Sequence, residues 1–152
     1  MVAERIVRGV LVAGAAFFLL IGAWALIDPA SFYAQVATFP PYNRHFLHDV
    51  GAFNLGIGAA LALGLAGWPG RRVALWAAAF AAVLHAGSHF ADRNLGGHAS
   101  DPLVLSLIAA ALVAAAILAP TTDRTTEVTR DATASPSPRL PGDRSARTTQ
   151  PD

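Results

Sequence analysis

Four long apolar runs alternate with short polar punctuation along the first 119 residues of this chain. The runs cover residues 6–27, 50–68, 73–90 and 103–119, and each is apolar on every side. A helix of a soluble bundle keeps a polar stripe for water, and these have none. A spanning helix needs ~20 mostly apolar residues, with ~17 as the working minimum. The pattern therefore predicts an all-α fold, a four-transmembrane-helix antiparallel bundle over residues 1–119. Arg5 and Arg8 ahead of the first run, with Ala23, Trp24 and Ala25 near its end, imitate a secretory signal. The run continues to full spanning length, so it reads as a span.

The punctuation is equally informative. Asp28-Pro29 has the form of an N-cap followed by proline at the first helical position. It predicts a short interfacial helix over 29–37, with Phe32, Tyr33 and Val36 on one side and the outer membrane surface beneath them. Pro40-Pro41 stops that helix, and Asn43 is placed to cap the one that becomes span two. Asp101-Pro102 repeats the cap signature ahead of span four. The tight turn over 67–72 joins spans two and three, making them antiparallel neighbours. Residues 120–152, rich in Thr, Ser, Pro, Arg and Asp, are expected to form a disordered cytoplasmic tail.

Charge orients the bundle. Arg5, Arg8, Arg71, Arg72, Arg124 and Arg130 fall on one side, and Arg44 and Arg93 on the other. The positive-inside tendency then puts both termini in the cytoplasm of a multi-pass protein of the bacterial inner membrane. Trp24 near the outer boundary, with Trp68 and Trp76 near the inner one, fits interfacial belts. With no cysteine, thiolate metal sites, disulfides and iron–sulfur clusters are excluded. All basic residues are arginine, and with abundant alanine and glycine this suggests a GC-rich bacterial genome. A net charge of +1 and no basic stripe argue against nucleic acid as a partner. The bilayer is the expected partner, with other membrane subunits or a second copy beside it, since span four keeps spare small residues.

All five histidines fall in the outer half. His45, His48 and Asp49 precede span two on one helical face, and His85, His89 and Asp92 share a face of span three. Counted from the 67–72 turn at ~1.5 Å per residue, His48 and His89 lie ~30 Å and ~26 Å away, at one level. Below them, Ala52, Gly56, Ala60 and Gly64 recur every fourth residue, and Ala74, Ala78 and Ala81 line span three. Small residues let helix backbones approach closely in lipid, so spans two and three are expected to pack small face on small face and turn the two polar stripes together. Histidines at i, i+4 chelate metals, and a carboxylate or histidine from the other helix would complete a site. His45, His48, Asp49, His85, His89 and Asp92 are thus the candidate metal ligands, with a metal ion, haem or a quinone headgroup as candidate cofactors. The plain alternative is that these groups bond to one another, to helix ends and to water, fixing the register of the hairpin. A proton-coupled or pH-sensing role is the third reading. His98 reads as a solvated loop residue and Asn54 as an interhelical hydrogen-bonding group.

No catalytic residue is assigned. The His85–His89 stretch lacks the glutamate of a zincin motif, five histidines are too few for a di-iron desaturase, and nothing aims a base at Ser88. Tyr42, Asn43, His45, Asp49, Val50, Gly51 and Ala52, followed by His85 and His89, resemble the pattern of a group of small four-span actinobacterial membrane proteins, loosely DoxX-like. That family pattern carries an acidic residue at the position of Arg44 and a basic one at His48, so the local charge order differs here. The resemblance covers about residues 5–119, and DoxX-like proteins are tied to membrane oxidoreductase complexes. The first expectation for function is a non-enzymatic or accessory membrane component. The second is a membrane redox, metal, haem or quinone-binding protein. A small-solute transporter is weaker, because no span is broken at the midplane.

Overall fold

The computed structural model describes residues 1–67 and 69–120, and these are all-helical apart from turns and loops. The expectations for Trp68 and for the tail lie outside the described residues. Five helices follow in order: α1 (Val2–Ile27), α2 (Pro29–Gln35), α3 (Arg44–Leu65), α4 (Arg71–Ala91) and α5 (Asp101–Leu118). All but α2 are long and apolar enough to cross a membrane. This is the architecture of a multi-pass membrane protein.

Local chemistry sets most of the boundaries. The Asp28 carboxylate accepts from the Ser31 N–H at 3.1 Å, with Pro29 opening α2. Asn43 Oδ1 accepts from the Phe46 N–H at 3.1 Å and starts α3 six residues before its apolar run. Each cap satisfies a donor the first turn leaves orphaned. The third expected cap is a correction. Ser100 stands at the N-cap of α5, and Asp101 is already inside the helix, its carboxylate turned back toward the preceding loop.

The bundle consists of two antiparallel pairs, α1 with α3 and α4 with α5, joined by a smaller α3–α4 contact and a still narrower α1–α5 contact. Along the α1–α3 seam, Gly22 meets Gly51, Leu19 meets Gly58, Gly14 meets Leu61 and Leu11 meets Gly64. At Gly58 an added Cβ would lie 2.8 Å from the Leu19 backbone nitrogen, so only hydrogen fits. This corrects the expected small-on-small seam between α3 and α4. Ala52 and Gly56 are exposed, and nothing lies within 4 Å of a Cβ built on Gly56. They face Ala74 and Ala78 of α4 across an open cleft of about 340 Å³. The reason is competition: the glycines that admit closest approach, 51 and 58, sit on the other side of α3 and commit it to α1.

Near the α3–α4 turn the four long helices close on one core, in which Val7, Leu11, Leu61, Leu75 and Leu112 are buried. Arg71 adds a paired hydrogen bond to Glu4, at 2.7 and 3.4 Å, tying the start of α4 to the start of α1. Toward the opposite end a smaller cluster of Ala25, Phe32 and Leu47 takes over. Here α2 departs from the expected helix lying on lipid. Phe32 is 3% exposed and packs edge-to-face on Trp24 at 5.6 Å. Tyr33 and Val36 turn inward with it, so the apolar side of α2 faces protein.

Candidate functional site

Between the two helix pairs, at the α2 end, lies a partly open cavity of about 570 Å³. That volume suits a drug-sized molecule. The buried side chains Phe18 and Ala82, with Ile57 and Ile108, come from the four long helices at its deeper end. Aromatic rings dominate the rest of the wall: Phe17 from α1, Phe32 and Tyr33 from α2, Phe39 from the following segment and Phe46 from α3. It exists because the pairs are held close by the small residues of their own seams and meet across the bundle only over the lower core.

The His and Asp side chains gather on one side of this space, along α4 and the start of α5, while Asn43 and Asn54 line it from the α3 side. His85 and His89, one turn apart, bring their Nε2 atoms to 3.2 Å, with ring centroids 4.9 Å apart. His89 Nδ1 lies 3.6 Å from Asp101 Oδ2, within ion-pair reach and beyond hydrogen-bond length. The Phe39 ring stands edge-on to His89 at 5.3 Å. Asp101 is held in turn by the His98 backbone N–H, which donates to Oδ2 at 2.8 Å, and His98 Nε2 lies 3.2 Å from the Gln35 carbonyl. His89 and Asp101 are 17% and 21% exposed, and all three members of the line face the cavity.

Glycine lets this line form. Gly97 adopts φ +79°, and a Cβ there would come within 2.8 Å of the Phe39 ring and 3.0 Å of Asp101 Oδ2. Its N–H donates to the Thr38 carbonyl at 3.3 Å, drawing the 92–100 loop onto the segment after α2. A larger residue would push apart the two side chains that flank His89.

The six expected ligands do not converge. His85 and His89 are together, and Asp92 lines the same cavity while remaining exposed. His45 and Asp49 lie elsewhere, an exposed i, i+4 pair 3.8 Å apart on α3. His48 Nε2 is enclosed yet has no hydrogen-bond partner among the described residues. Helical phase explains the split. Gly51 must face α1, and this turns the 45/49 edge of α3 away from α4. No group of three or more His, Asp or Glu able to enclose a metal ion occurs among the described residues. Asp101 was missed because its pairing with Pro102 reads as a cap. The one available signal was a second carboxylate near the outer end of span four, level with the histidines. His98 is engaged rather than simply solvated. Asn54 donates back to its own helix, to the Val50 carbonyl at 2.7 Å, instead of bridging to another. Ser88 donates to the His85 carbonyl at 2.8 Å, so its hydroxyl is not presented to a base.

No family model matches the chain, and neither a curated protein nor a solved structure does.

Proposed function

We propose that this chain is a bacterial inner-membrane protein with both termini cytoplasmic, and that it binds a lipid-soluble ring compound with a polar oxygen head, a quinone in the first instance. The observation that carries the reading is the placement of one polar line, Asp101–His89–His85, on a cavity whose walls are mainly aromatic and aliphatic. Binding sites for small molecules combine such walls with a few convergent polar groups. Flat rings suit the stacking and edge contacts that Phe17, Phe18, Phe39 and Tyr33 offer. The imidazoles supply the hydrogen bond that orients the head. Six arginines against two favour the proposed orientation, which places the cavity in the outer half of the membrane. The protein acts here as a carrier or accessory component, with the ligand's chemistry completed elsewhere.

Binding is tested by thermal unfolding of purified protein in mild detergent with a short-chain quinone. Occupancy stabilises by about 2.7 kcal/mol at a free ligand concentration of ~100 times Kd. Ala81 lines the cavity, and Ala81→Phe, which pushes a ring into it, is expected to reduce the shift strongly. No shift with the wild type, together with organic extracts free of any lipid-soluble ring compound, would refute the reading.

A further inference from the structure

The two histidine rings are set in a way that hydrogen bonding to a ligand does not require. Their Nε2 atoms turn toward each other at 3.2 Å. Asp101 stands beside the opposite nitrogen of His89, and Phe39 packs edge-on against the ring. A carboxylate within ion-pair reach of Nδ1 favours the proton there and leaves the lone pair on Nε2, and a small approach would complete the hydrogen bond found behind metal-bound histidines.

We propose that His85 and His89 form a two-histidine seat for a divalent transition-metal ion, zinc first, with Asp101 as the carboxylate that orients His89. Two imidazole nitrogens each bound at ~2.0–2.1 Å to one tetrahedral ion stand about 3.3 Å apart. The observed spacing meets that with movement of about a tenth of an ångström. Paired nitrogen donors select zinc, copper or nickel over magnesium or calcium, which take oxygen ligands. Among the described residues no third His, Asp or Glu closes the shell, so the remaining positions would be taken by water or a ligand oxygen from the cavity. With two protein ligands, one fewer than an open zinc site carries, the ion is held weakly and exchanges readily. This seat goes beyond the cavity's proposed occupant and does not depend on it.

The test uses the full chain, purified in detergent without a polyhistidine tag and titrated with Zn²⁺ alone by calorimetry. One ion per chain is expected. Affinity should fall by at least about tenfold in His85→Ala and in His89→Ala, and by about 10–100-fold in Asp101→Asn. His45→Ala, which removes the other i, i+4 pair, should change nothing. Circular dichroism checks that each variant stays helical, and His85→Gln and His89→Gln replace any alanine variant that does not. The proposal is overturned if folded wild type binds Zn²⁺ no more tightly than the His85/His89 double variant. It is equally overturned if the loss follows His45. Zinc binding that persists without any quinone-induced stabilisation refutes the ligand reading and leaves the metal seat standing.

Discussion

Gly22 and Gly51 lie back to back where α1 crosses α3, so close that a Cβ on either would stand within 2.9 Å of the other's carbonyl oxygen. Those atoms are backbone and cannot swing aside. Gly22→Ala or Gly51→Ala should therefore cost about 1–3 kcal/mol, the usual penalty for overpacking. Gly56→Ala on the same helix meets open space and should be neutral or gain up to about 1 kcal/mol in helix propensity. Thermal unfolding in detergent separates the three. Equal losses at all three positions would mean that the Gly56 face of α3 is packed as closely as the Gly51 face.

His48 tests the cost of an orphaned polar atom. Its enclosed Nε2 lacks a hydrogen-bond partner among the described residues, and an unsatisfied group of this kind costs about 1–3 kcal/mol. His48→Leu is expected to stabilise by roughly 1 kcal/mol and to leave Zn²⁺ affinity untouched. Destabilisation would show that the imidazole has a role in the fold.

Two of the three positive-φ glycines among the described residues, Gly67 and Gly97, separate strain from sterics. Both adopt left-handed φ, +90° and +79°, and alanine at either costs about 1–2 kcal/mol in backbone strain. Gly97→Ala must also displace Phe39 and Asp101, whereas no described atom lies within 4 Å at Gly67. The expectation is a larger loss at 97 and, with it, weaker Zn²⁺ binding. Matching effects at the two positions would mean that the 92–100 loop does not hold the polar line.

Orientation can be read directly, because the chain has no native cysteine to remove. Asn94→Cys should react with a membrane-impermeant maleimide added outside intact bacterial spheroplasts, and Arg72→Cys only after lysis. The reverse result would invert the proposed orientation and place the cavity on the cytoplasmic side.

Hydropathy and local caps determined by themselves that the chain builds four spanning helices with a short fifth between the first two. Length and apolar content decide crossing, and Asp28 and Asn43 each act on a donor three residues away, so neighbours in sequence suffice. That the start of α3 and the end of α4 lie at one end of the bundle was legible for the same reason, since rise per residue is constant, and both line one cavity. Only the tertiary structure decided which helices touch. The α3–α4 turn makes those two neighbours in sequence, but Gly51 and Gly58 admit α1 more closely, and that choice sets the rotation of α3. Rotation in turn sends His45 and Asp49 outward and opens a cavity between the helix pairs. Asp101 joins His89 through a loop folded at Gly97, a contact between segments that share no periodicity. A helix displays its faces in its sequence, but the partner each face meets is chosen by packing among all of them at once.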